Sequence, residues 1–317
     1  MKLSMHCQNI TKQNGGEKMT INTQITKFVG RIVAGSFYDM QEIRIATKNR
    51  IRDVIRKKVD GVPFDAVEEK KEEKTYGKKY TDKELLELWE KLKNEKKISQ
   101  KEFDYVMECW TLAKESEKVE RKYEKAMLTF VSNEDVYTKF LEKIRGIGAV
   151  LSANLIKEFG DCSQYDTPAK LWAHCGQSVI GGVAPRKVKG QTISYNPRLR
   201  TLVWKISDCL LKSNKGIYRQ IYDTTKQDYA GRKYKKGELE AKYGKPYKKS
   251  DTKLSKGHAH NIALRKMRKI FLANYWECAR EVAGLQVREP FVKEKLHHKH
   301  IITWRDAVKH EQSARMP

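Results

Sequence analysis

No stretch of this 317-residue chain approaches the ~20 consecutive apolar residues that a membrane-spanning helix requires. Met1 to Lys18 has no apolar centre, so it does not read as a secretory signal, and Met19 offers an alternative start. Six cysteines (Cys7, Cys109, Cys162, Cys175, Cys209 and Cys278) are scattered without a CxxC pair. That spacing argues against a disulfide framework or a zinc site and for reduced thiols in a cytoplasm. The sequence has no P-loop, no dinucleotide fingerprint and no nucleophile elbow. Acids are also short: 40 Asp+Glu stand against 65 Lys+Arg, leaving a net charge of +25. Such an excess suits a polyanionic partner, with nucleic acid the first candidate and a membrane surface the second. The expectation is a cytoplasmic, DNA-associated protein with no membrane partner.

What is present reads as helices. Residues 1–22 are polar and expected to form a disordered leader. Residues 23–60 repeat apolar positions at helical spacing (Ile25, Phe28, Val29, Ile32 and Val33, later Ile51, Val54 and Ile55). Arg44, Lys48, Arg52 and Lys58 crowd the same segment, as a phosphate-contacting face or a solvated one. Residues 61–80 read as a charged linker. Thr81 with Glu84, and Ser99 with Glu102, form capping-box patterns, so 81–139 is expected to be a helical hairpin or coiled coil suited to homo-oligomerisation.

Residues 141–160 carry the most specific local pattern. Leu141 and Ile144 lead into Gly146-Ile147-Gly148, followed by Val150, Leu151, Ala153, Leu155 and Ile156 at helical spacing. Paired glycines permit a tight turn, which leaves free backbone N–H groups where the helix dipole favours an anion. This predicts a helix-hairpin-helix that holds phosphate through Gly146, Ile147, Gly148 and Ser152; an ordinary helix corner is the alternative. Arg186, Lys187 and Lys189 form a basic turn, and Arg198 and Arg200 open the next helix. Between 212 and 256 lie 14 Lys/Arg against 5 Asp/Glu, interleaved with six tyrosines. Lys233, Lys235 and Lys236 are its candidate phosphate contacts, with the tyrosines available for base stacking; a disordered basic loop is the alternative. Residues 285–317 read as a basic tail. His258, His260, His297, His298 and His300 match no closed metal spacing, so no metal site is expected.

From Phe140 to about Tyr229 the order of features resembles the C-terminal domain of the insertion sequence 110/116/902-type transposases, the bridge-RNA-guided recombinases. The resemblance is carried by Ile144 to Gly148, Phe159-Gly160-Asp161, Tyr165, Pro168, Leu171, Ala173, Gly176, Pro185, Gly190, Asn196, Leu199 and Arg200, with the 257–276 helix similar to the family's last. It implies a transposase-family domain over 140–284 and a DNA partner. In the family, a serine before a glycine is the proposed nucleophile; the matching position here is Lys189, before Gly190, and Ser194 is the nearest hydroxyl. The family's N-terminal RNase-H-like domain, with its metal-binding carboxylates, finds no counterpart, since residues 1–140 read as helices and Asp39 is the sole acid in an apolar setting there.

The resulting expectation is a mainly α fold, with a helical N-terminal region followed by a helix-hairpin-helix-containing, transposase-like domain. Its function is duplex DNA binding through the backbone, with strand cleavage lost or impaired and no cofactor required for binding. Two other readings stay open. One is an active recombinase using Ser194 and Mg²⁺; the other is an RNA-binding, chromatin or plasmid-maintenance protein.

Overall fold

A computed structural model describes residues 21–60, 80–179, 183–244, 247–288 and 302–314. The expected leader up to residue 20, the 61–79 part of the linker, and His297, His298 and His300 lie outside them. The protein is mainly α-helical, with no strand among the described residues. The helices are α1 (Ile21–Asp60), α2 (Asp82–Asn94), α3 (Gln100–Val131), α4 (Asp135–Lys139), α5 (Ala149–Phe159) and α6 (Pro168–His174). They continue with α7 (Pro197–Lys212), α8 (Ile217–Gly231), α9 (Glu238–Tyr243), α10 (Lys256–Val282) and α11 (Trp304–Ser313). The chain divides into two compact units, residues 32–126 and residues 1–31 with 127–317.

In the 32–126 unit the sequence signals work as expected at the helix starts. Thr81 Oγ1 accepts the Glu84 N–H while Glu84 returns a carboxylate oxygen to the Thr81 N–H, and Ser99 and Glu102 repeat the exchange. Three helices share the core, because Ile51 and Ile55 of α1 pack with Leu85, Trp89 and Leu92 of α2, Ile98, and Trp110 of α3. A hairpin alone would leave that apolar face in water; α1 covers it. The basic face of α1 is largely consumed by this packing. Arg44 pairs with Glu120, Lys48 with Asp82 and Glu117, Arg52 with Asp82, and Lys58 with Glu102. Burial pushes the Asp82 carboxyl up, but hydrogen bonds from Lys48 and Arg52 outweigh it and hold the group below its ordinary range. The phosphate-contacting reading of these four residues therefore gives way to an internal role.

In the other unit α10 is the central element. Its buried residues include Ala259, Ala263, Met267, Phe271, Tyr275 and Trp276, and it packs against α4, α6, α7, α8 and α11. Polar ring atoms in this core are satisfied by backbone: the Trp276 Nε1–H donates to Tyr165 O at 2.7 Å and the Tyr275 hydroxyl to Gly160 O at 3.0 Å. Two sequence expectations are corrected here. Residues 302–314 are not a tail: Trp304 and Ala307 of α11 are buried, and Trp304 Nε1 donates to Glu281. The 212–256 run is not a loop either, since it folds into α8 and α9. Tyr218 and Tyr222 are core residues, and Leu239, Tyr247 and Leu254 form a small core of their own with Tyr229, Tyr234 and Tyr243 against it. Rings assigned to base stacking are mostly spent on this packing.

Candidate nucleic-acid interface

The hairpin stretch adopts a turn built on Gly146, whose φ is +88°. A Cβ there would approach Cys209 O to 2.8 Å, so glycine is required both by conformation and by the closeness of α7. Gly148 differs from the expectation. With φ −98° and ψ 178° it is the extended N-cap of α5, with open space around it. The element before the turn is a short 3-10 turn, Leu141–Lys143, rather than a long first helix. Ile147 and Ser152 are buried; Ser152 lies on the core face of α5 with Ala153, Leu155 and Phe159, which removes it from any phosphate. What faces solvent is backbone: Gly148 is exposed and the first turn of α5 half-exposed.

A second feature joins residues far apart in sequence. Asn196 caps α7 by accepting the Arg198 and Leu199 N–H groups, with Pro197 in the first turn. Leu199, Leu202, Val203, Ile206 and Leu210 are buried, which leaves Arg200, Thr201 and Trp204 on the outer side of the helix. The α10 N-terminus, capped by Ser255 accepting the His258 N–H, brings Arg265 and Arg268 opposite. Between them lies a cleft of about 860 Å³, completed by Tyr195, Arg186, Tyr243, Tyr247, His258 and His260.

Several contacts fix its walls. The Arg200 guanidinium stacks over the Tyr195 ring at 4.8 Å and donates to Pro185 O at 2.8 Å. The ring in turn needs Gly176, where a Cβ would come within 2.9 Å of it. Arg268 Nε donates to Ser207 Oγ at 2.8 Å, and that hydroxyl donates to Trp204 O at 2.7 Å. His258 Nδ1 is hydrogen-bonded to the Tyr247 hydroxyl at 2.8 Å, and His260 Nδ1 to the Tyr222 hydroxyl at 2.6 Å.

The electrostatics are one-sided. Among the described residues no carboxylate pairs with Arg200, Arg265 or Arg268. Burial, then the charges of Arg265 and Arg200, push the Arg268 guanidinium down to about 10. Burial and Arg200 push Arg265 down as well, and burial with Arg265 lowers His258. Half-buried cations whose charged neighbours are cations are costly unless an anion supplies the missing charge.

Residues 138–223 match the family model described as Transposase IS116/IS110/IS902 family. That stretch is similar to a transposase-family domain. It spans about a quarter of the chain, and no curated protein or solved structure gives a match. The match covers the glycine turn, Tyr195, Arg200 and Trp204; the cleft is closed by α10, from beyond the matched residues. A domain of this family implies a nucleic-acid partner, and among the described residues no helix is long and apolar enough to cross a membrane.

Of the residues singled out from sequence, Arg186 and Arg200 line the cleft. Lys187, Lys189, Arg198, Lys233, Lys235 and Lys236 are exposed outside its lining, as is Ser194, which makes no hydrogen bond among the described residues. Sequence reasoning missed Arg265, Arg268 and Trp204. In sequence Arg265 and Arg268 lie opposite the apolar side of an amphipathic helix, and the one usable signal is two arginines three apart without an acid at helical spacing. Among the described residues no three His, Cys, Asp or Glu side chains gather as metal ligands.

Proposed function

We propose that the chain is a DNA-binding protein of the transposase family, holding phosphate in the arginine-lined cleft between α7 and α10, with strand-cleavage chemistry lost or impaired. The observation that carries this reading is the set of Arg200, Arg265 and Arg268, half-buried, mutually repelling and without carboxylate partners. A phosphodiester backbone supplies regularly spaced negative charge that relieves all three. The exposed amides at the start of α5 add a second phosphate contact of the kind a hairpin offers. Impaired cleavage is supported by Lys189 at the position where the family carries its serine, a side chain that cannot form a phosphoester link to DNA.

The test has two parts. Duplex binding measured across salt is expected to weaken with a log–log slope near −0.9 per phosphate neutralised, and R265Q/R268Q to flatten it. A salt-independent affinity overturns the reading. Incubation with supercoiled plasmid and Mg²⁺ is expected to give no nicking or covalent adduct; adducts abolished by S194A would make the chain an active recombinase.

Self-association is proposed through the 32–126 unit. Tyr105 and Leu112 of α3 are 65% and 60% exposed, seven residues apart, with exposed Cys109 between them. That is a stripe of coiled-coil spacing. Sedimentation of the wild type against Y105E/L112E tests it, and an unchanged mass would reject this face.

A further inference from the structure

Trp204 is the largest exposed ring in the cleft, 54% accessible on an otherwise well-buried helix. Its indole N–H makes no hydrogen bond among the described residues. Its neighbours along α7 are charged in a patterned way. Arg200 lies one turn before it, and Ser207, which anchors Arg268, lies three residues after it. The chain Arg268 Nε–Ser207 Oγ–Trp204 O fixes the guanidinium relative to the same helical turn that carries the indole. A flat apolar surface is therefore flanked by a cation on each side.

The size of the cleft decides between two forms of nucleic acid. At about 860 Å³ it falls in the range of pockets that enclose small ligands, so a duplex lays a phosphate edge along it while a single nucleotide fits inside. Duplex DNA also hides its base faces in the stack, so a paired strand can offer Arg200 and Arg268 its phosphates but cannot offer Trp204 a ring. An unpaired nucleotide offers both. Tyr195 is covered by the Arg200 guanidinium, Tyr243 packs edge-on against the His258 ring, and Tyr247 holds His258. That leaves Trp204 as the open platform.

Resting on the proposed phosphate-binding role of the cleft, we propose that it takes an unpaired nucleotide. Its base stacks on Trp204, and its flanking phosphates lie against Arg200 on one side and Arg265 and Arg268 on the other. Stacking on a tryptophan tolerates any base, so the site selects strand state and leaves sequence unread.

The experiment compares three 20-mers at one salt concentration: a labelled single strand, the same length as a duplex, and a strand of identical phosphates with abasic residues. Wild type is expected to bind the single strand about tenfold more tightly than the abasic strand, the scale of losing one stacked base. W204A is expected to remove that difference with the melting temperature unchanged, and W204F to restore most of it. Thymidine and uridine strands in parallel show whether DNA or RNA is the source. If the wild type does not distinguish based from abasic strands, or W204A binds the single strand as well as wild type, the stacking site is overturned. In that event a retained salt slope that R265Q/R268Q flattens leaves the phosphate-binding cleft standing, whereas loss of all salt-dependent binding overturns both.

Discussion

The buried Glu311 carboxylate accepts the Ile217 N–H at 3.1 Å, tying α11 to the first turn of α8 across 94 residues of sequence. Arg145, beside the glycine turn, approaches the other carboxylate oxygen at 3.6 Å, an ion pair longer than a hydrogen bond. Gly216 makes room for the arrangement: its φ is +93°, and a Cβ would lie 2.0 Å from Glu311 Oε1. One side chain thus serves as the cap that Gly216 cannot be for α8.

Gly216→Ala is expected to destabilise the protein by about 2–3 kcal/mol, from backbone strain and displacement of the carboxylate. Glu311→Ala is expected to cost a similar amount by leaving the part-buried Ile217 N–H without its acceptor, and the double variant less than the sum, since both remove one contact. Urea unfolding of the three variants measures this. Strict additivity would mean that the two residues act separately.

Arg265→Gln is expected to separate stability from binding. Arg265 has no carboxylate partner, and Arg200 and Arg268 repel it, so removing its charge is expected to leave the melting temperature equal or higher. Binding to duplex DNA is expected to weaken, with the salt slope reduced by about 1. A fall in stability together with unchanged affinity would show that the guanidinium is structural.

His258 and His260 set a pH dependence with a definite sign. Burial lowers both, with Arg265 adding to the first and Lys226 and Arg268 to the second. The unfolded chain therefore takes up these protons first, near the ordinary value of 6.5. Stability is full above that pH and declines as pH falls from 6.5 through the depressed folded values. A phosphate in the cleft favours the protonated rings, so bound DNA is expected to shrink this decline. Melting curves at pH 7.5 and 5.5, with and without DNA, check it; equal declines would remove the histidines from the site.

The two glycines of the turn are expected to behave oppositely. Gly146→Ala introduces a Cβ 2.8 Å from Cys209 O at a positive φ, and is expected to lower stability by about 1–3 kcal/mol. Gly148→Val meets open space in extended backbone, and is expected to keep the fold while screening the α5 amides from phosphate. Duplex affinity of Gly148→Val equal to wild type would make the stretch a helix corner.

Local signals were legible in the sequence where a short stretch decides its own structure. The Thr81 and Ser99 boxes form, and the transposase-type order read over 140–229 agrees with the matched residues 138–223. Long-range pairing was not legible. Lys48 and Arg52 looked free because Asp82 lies beyond a charged linker, and Tyr218 and Tyr222 looked available because α10, which buries them, begins dozens of residues later. The cleft failed for the same reason: Arg200 and Arg268 meet only once α7 and α10 pack, and no window of sequence contains both.

The clasp at Glu311 also imposes an order on synthesis. The first amide of α8 emerges from the ribosome long before the carboxylate that caps it, so until α11 appears the Ile217 N–H has only water to bond. The 127–317 part of the unit thereby lacks this contact until α11 has been translated. Chains arrested before residue 304 are expected to be cut by protease near residue 217, and chains arrested well beyond residue 313 to resist. Equal resistance in both would show that the domain closes without its last helix.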